Sequence, residues 1–203
     1  MQAFLALSRA IDAFSRMVGV FATYLVLFAA LVSAFNAFAR YSINSIIRLE
    51  RELSLGGGSL SWLLDLYRQN SNTLGEAQWY MFAGMVMFGA AHTLRMNEHV
   101  RVDLVYGSVS ERARLWIDLL GGIFFLLPMC LLMIHFTWPW FLQSYYDGET
   151  SANAGGLLRW PVKLTLPLGF ALIALQGFSE IIKCLAALNL GYRRDRSYER
   201  PVQ

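Results

Sequence analysis

Long apolar stretches alternate with short polar ones along the whole chain. Val18–Ala39 carries no charged side chain, and apolar stretches return at Ala77–Leu94, Leu119–Phe136 and Leu164–Ser179. A helix rises about 1.5 Å per residue and the hydrocarbon core is about 30 Å thick, so roughly 20 apolar residues cross it. The first and third stretches fit outright. The second and fourth fit with Gln78 and Glu180 at the interface. The pattern predicts an all-α integral membrane protein, a single membrane domain over residues 1–203 with four transmembrane helices at about 18–39, 77–94, 116–138 and 164–187. Between them lie a first loop, a second loop at 95–114, a third loop at 139–163 and a tail at 188–203.

The first loop has a pattern of its own. Leu60, Leu63, Leu64 and Tyr67 recur at i, i+3, i+4 and i+7, while Ser61, Asp65, Arg68 and Gln69 take the opposite face. With Gly56-Gly57-Gly58 as a break before it, Ser59–Gln69 reads as an amphipathic helix lying on the outer membrane surface or against a partner. Ile43–Leu53 also reads as helical, with a less regular apolar face.

Composition agrees with the membrane reading: 56% of residues are hydrophobic and 15% charged, which leaves little for a separate soluble domain. The net charge of +3 calls for no nucleic-acid partner. Its distribution says more. Of the 17 Lys and Arg, most fall in the N-terminal segment (Arg9, Arg16), the second loop (Arg95, Arg101, Arg112, Arg114) and the C-terminal end (Lys183, Arg193, Arg194, Arg196, Arg200). The positive-inside rule then places both termini in the cytoplasm. Trp62, Trp79, Tyr80, Trp138, Trp140, Tyr145, Tyr146 and Trp160 gather near the opposite interface as an aromatic belt, which makes the first and third loops periplasmic. Arg9 and Arg16 ahead of an apolar run ending in Ala37-Phe38-Ala39 imitate a secretory signal. The run is longer than an h-region and Arg40 follows at once, so it reads as a retained helix.

Ionisable groups at membrane depth are costly and draw attention first. Glu180 and Lys183, three apart, read as a self-neutralising pair near the cytoplasmic end of the fourth span. Asp118 reads as a helix-start charge within reach of Arg114. His92 and His135 belong to opposite ends of the bilayer, and no HExxH or paired-Cys spacing occurs, so no metal or haem site is expected. Cys130 and Cys184 fall at depths differing by ~15 Å, beyond the ~7 Å Cα limit of a disulfide, and read as packing residues. Ala30, Ala34 and Ala37 form a small-residue stripe on the first helix, as do Ala171, Ala174 and Gly177 on the fourth. Both suit internal packing or docking on another subunit. Pro128 is expected to kink the third span. No span carries the closely spaced Gly/Pro interruptions of a transporter's substrate-holding helices.

From the second span onward the residues carry a resemblance. Gly75-Glu76-Ala77-Gln78-Trp79-Tyr80 enters the helix, Gly89-Ala90-Ala91-His92-Thr93-Leu94-Arg95 closes it, and His99-Val100-Arg101-Val102-Asp103 follows. Downstream come Ser144-Tyr145-Tyr146-Asp147-Gly148-Glu149-Thr150-Ser151 and Gly155-Gly156-Leu157. In this order they resemble the small membrane subunit, DctQ type, of tripartite ATP-independent periplasmic (TRAP) transporters. Two features depart from that pattern: the first loop is long, and Leu158-Arg159 stands where a Pro often follows Gly-Gly-Leu.

The resemblance implies a non-enzymatic scaffold subunit in the bacterial inner membrane. Its partners would be a large membrane subunit that moves like an elevator, a periplasmic substrate-binding protein that visits transiently with an organic acid, and bilayer phospholipids. No cofactor is expected in this subunit, with sodium coupling carried by the large one. In that frame His99, Arg101 and Asp103, alternating with Val100, Val102 and Leu104, would fix the turn after the second helix. Glu76, at the start of that helix, is a dipole-favoured acid and a candidate salt bridge to the large subunit. Asp147, Glu149 and Ser151 are candidates for docking the binding protein. The competing class is a free-standing four-helix membrane enzyme or sensor, which would need acid, base or metal groups converging at one depth.

Overall fold

The computed structural model describes residues 2–53, 61–97, 106 and 108–190. Four long helices hold nearly all of them: α1 (Gln2–Leu53), α2 (Ser61–Met96), α3 (Glu111–Tyr146) and α4 (Trp160–Leu190). Among the described residues no strand forms, and a single bridge joins Thr150 to Leu158 in the α3–α4 connection. Among the described residues three helical segments, Gln2–Ile43, Glu111–Tyr146 and Trp160–Asn189, are long and apolar enough to cross a membrane. α2 has the length but a more polar N-terminal half.

α1 is one helix of 52 residues, about 78 Å long. It therefore begins well before the Val18 expected from the apolar run, and its helical course through Ile43–Leu53 agrees with the sequence reading. Its inner seam is Ser8, Ile11, Ser15, Ala22 and Ala29, all buried and repeating at helical spacing. Small side chains along that seam bring the neighbouring backbones close. A Cβ on Gly19 would stand 2.5 Å from His92 Cγ on α2, and one on Gly169 of α4 would stand 2.6 Å from Met87 Cβ. α4 packs against all three other helices, with α1 and α2 on one side and α3 on the other. A small cluster of Leu119, Ile181 and Cys184 joins α3 to α4. Cys130 and Cys184 are both buried and are not joined in a disulfide.

The expected separate amphipathic helix at 59–69 is not a separate element. Its described part opens α2, which continues without a break into the segment at 77–94. Nothing between Gln69 and Gln78 stops a helix, since Gly75 alone costs only about 1 kcal/mol relative to alanine. Tyr67 turns towards α1, where its hydroxyl meets Asn36 Oδ1 at 2.7 Å and the Asn36 carbonyl at 3.1 Å.

α3 starts at Ser110, whose hydroxyl caps the Ala113 amide, and contains a π-turn over Gly122–Leu126 where the Leu127 amide reaches back to the Gly122 carbonyl. Pro128, the expected kink, follows this turn. It has no N–H to donate and its ring crowds the preceding turn, and the wider π-turn absorbs both effects. The helix ends at Gly148, whose φ of +59° reverses the chain.

Candidate functional site

Two polar constellations hold this bundle, one at each end of α4. The first is built on α2. Asn72, Thr73, Glu76 and Tyr80 lie on one face at helical spacing, and the α3–α4 connection crosses that face. Glu76 Oε2 accepts from the Leu157 amide at 2.7 Å. Its Oε1 accepts from Asn153 Nδ2 at 2.7 Å and from the Ser151 hydroxyl. Thr73 Oγ1 donates to the Gly155 carbonyl, and Tyr80 donates to the Leu158 carbonyl at 3.0 Å. The Ser151 hydroxyl, the Leu157 amide and the Asn153 amide, in that order, hold the Glu76 carboxyl below its ordinary 4.5, and the charge of Arg159 adds to them.

Gly155 is required where the connection touches α2. Its φ is +69°, and a Cβ there would stand 2.7 Å from the Gln69 carbonyl oxygen. Beside this clamp Glu149 binds Lys163 and, at 3.4 Å, Arg159. Lys163 lies 4.4 Å over the Trp140 ring. The Lys163 ammonium is the main reason the Glu149 carboxyl also sits below 4.5.

The second constellation joins α1 to α4. Asp12 Oδ2 lies 2.7 Å from Lys183 Nζ, which also meets Glu180 Oε1 at 2.7 Å. Gln176 Nε2 donates to Asp12 Oδ1 and to Glu180 Oε1, both at 3.0 Å, while its Oε1 accepts from Ser15 at 2.7 Å. Ser179 donates to Asp12 Oδ1 at 2.9 Å and lies 2.7 Å from the Ser8 hydroxyl. Two carboxylates thus share one ammonium among buried amide and hydroxyl groups.

The expected Glu180–Lys183 pair is present, but as part of this larger network. Sequence reasoning missed its other half by ending the membrane run at Val18. The signal was there: Ser8, Asp12 and Ser15 recur at i, i+4, i+7, and Gln176, Ser179, Glu180 and Lys183 at i, i+3, i+4, i+7.

The other expected residues fall out as follows. Glu76 lies in the interior of α2, not at its start, so the helix dipole does not explain it, and its carboxylate is taken up by the chain's own loop. Glu149 and Ser151 also make internal contacts, while Asp147 caps α3 and is exposed. Ala30, Ala34 and Ala37 are exposed, outside the inner seam of α1. Gly177 is buried against Leu126. Asp118 lies two turns into α3 and accepts from the Tyr106 hydroxyl at 3.0 Å. His99, Arg101 and Asp103 lie outside the described residues. Among the described residues no group of three or more His, Cys, Asp and Glu side chains could hold a metal ion.

No curated protein matches this chain, and no solved structure does. Residues 66–187 match the family described as tripartite ATP-independent periplasmic transporters, DctQ component. That stretch takes in the Glu76 clamp, the loop that covers it and the α4 half of the Asp12 network, and it covers more than half of the sequence. The chain belongs to the DctQ family, and is a membrane-embedded component of a tripartite ATP-independent periplasmic transporter.

Proposed function

We propose that this chain is the small scaffold subunit of a sodium-coupled importer of an organic acid, lying in the inner membrane with four spans and both termini in the cytoplasm. A periplasmic binding protein delivers the substrate, and a large elevator-type subunit carries the substrate and sodium sites. The small subunit enlarges the fixed frame against which the transport domain slides, and binds no substrate itself. The observation that carries this reading is where the deep charges go: Asp12, Glu180 and Lys183 bind one another and lock α1 to α4. A frame needs rigid internal joints and free outer faces. The exposed apolar side chains Phe21, Phe28, Phe35 and Phe38 on α1, and Phe124, Phe125 and Phe136 on α3, supply the faces.

The positive residues Arg9 and Arg16 near the N-terminus of α1, with Arg95, Arg112 and Arg114 around the connection from α2 to α3, support the N-in, C-in orientation. The loop that covers Glu76 then faces the periplasm, where Asp147 is available to the binding protein.

Co-expression with the large subunit tests the reading. A one-to-one complex that survives detergent extraction is expected. A monodisperse lone chain that fails to bind the large subunit would sink it.

A further inference from the structure

Between α1 and α2 runs an open groove of about 960 Å³. Ala30 on α1 and Ala90 on α2 leave the space, Gly19 against His92 and Gly89 against Ala22 mark where the two helices meet, and Leu126 and Ile173 also line it. The hydroxyls of Thr23 and Thr93 on its walls are turned back onto the Gly19 and Gly89 carbonyls, at 3.1 and 3.2 Å. Apart from the His92 ring, which also lines the groove, what these walls offer an occupant is apolar contact. The groove falls within the apolar stretches Val18–Ala39 and Ala77–Leu94, at hydrocarbon depth.

Its N-terminal mouth has the opposite character. Arg9, Arg16, Thr23 and Ala30 follow one another at i+7, so the two arginines continue the groove wall of α1. Both are exposed. Arg16 stands three residues, about 4.5 Å, below Gly19 at the groove's end, and Arg9 about 10 Å further.

We propose that this groove binds one anionic phospholipid of the leaflet nearest the N-terminus, with an acyl chain along α1 and α2 and its phosphate on Arg16, Arg9 adding charge beyond it. An apolar trough that ends in two cations complements a molecule with an apolar tail and an anionic head. The inference rests on the membrane-spanning reading of α1 and α2, and is independent of the large subunit.

The test uses the full chain in detergent with equimolar phosphatidylglycerol and phosphatidylcholine, and counts retained lipids by native mass spectrometry. One phosphatidylglycerol is expected on the unmodified chain. Arg9→Gln with Arg16→Gln lowers the preference over phosphatidylcholine by about 30-fold, at about 1 kcal/mol per arginine. Ala30→Trp, which fills the groove, lowers retention of both lipids, whereas Phe28→Trp on another face of α1 leaves it unchanged and controls for folding. Equal retention of the two lipids by the unmodified chain, or an unchanged preference in the arginine variant, would overturn the site. So would a photo-crosslinker at Ala30 that captures the large subunit and no lipid. Labelling of Ala30→Cys by a water-soluble maleimide overturns the site by refuting the membrane reading beneath it. A protected Ala30→Cys without lipid preference overturns the lipid site alone.

Discussion

At the scale of single residues, Glu76 and Gly155 explain each other. The carboxylate needs donors, and the Gly-Gly-Leu segment brings the Leu157 amide to it. The chain can pass that close to α2 only with glycine at 155. Glu76→Gln should therefore free the loop without unfolding the bundle, seen as faster exchange of the amides at 149–157. Gly155→Ala puts a Cβ on a left-handed residue and into the Gln69 carbonyl. A loss of at least about 1–2 kcal/mol is expected, read as an earlier thermal transition in detergent. Glu76, which holds this loop from α2, and Glu149 within it both lie below their ordinary 4.5. Their stabilisation is full above that value and is lost as pH falls through the lowered one. A nitroxide on Ala152→Cys should stay immobile at neutral pH and gain mobility only below about 4.5. Mobility that changes near pH 7 would refute the clamp. In the sequence Glu76 stood out, but its role did not. A loop more than 70 positions away supplies its partners, and no local pattern carries that contact.

Between elements, the joint of α1 with α4 dominates. Removing the ammonium leaves two half-buried carboxylates facing each other, so Lys183→Met should cost about 3–5 kcal/mol. Adding Asp12→Asn and Glu180→Gln removes the repulsion and should restore most of it, as measured by thermal unfolding in one detergent. If Lys183→Met alone were harmless, the network would be a surface feature and not a joint. The elements themselves were legible from hydropathy, and the helical repeat within each was sound. Their ends were not. A rule that stops at the first charge excludes Asp12, because it cannot see that Lys183 waits on another helix. The same rule split α2 into a surface helix and a span, although its polar first half is covered by a loop and by Asn36 of α1.

For the molecule as a whole, α4 is the member that every other helix needs, and α3 leans mainly on it. The exposed aromatic faces of α1 and α3 therefore point away from the centre of the bundle, ready for lipid or for another subunit. The proposed sidedness can be checked in whole cells. A cysteine at Asn153 should react with an impermeant maleimide from the periplasm, and one at Gln2 only after the cells are opened. Labelling of Gln2 alone from outside would reverse the proposed topology, and labelling of both would refute the four-span count. Family membership was legible because α2 from Gly75 onward and the covering loop carry motifs in order. The groove beside α1 was not, because its two walls lie far apart in the sequence.

The length of α1 has a mechanical consequence. A single helix of about 78 Å is more than twice as long as the hydrocarbon core is thick, so it stands out of the bilayer on one side at least. Near one end it is bolted to α4 by Asp12, and further along it is braced by Tyr67 at Asn36. Between bolt and brace it can pivot only together with α2 and α4. The part of it beyond Asn36, reaching to Leu53, then acts as a lever arm. A push there is delivered to the Asp12 joint, and a neighbour holding that end would feel any tilt of the bundle about that joint as a larger displacement than Asn36 does.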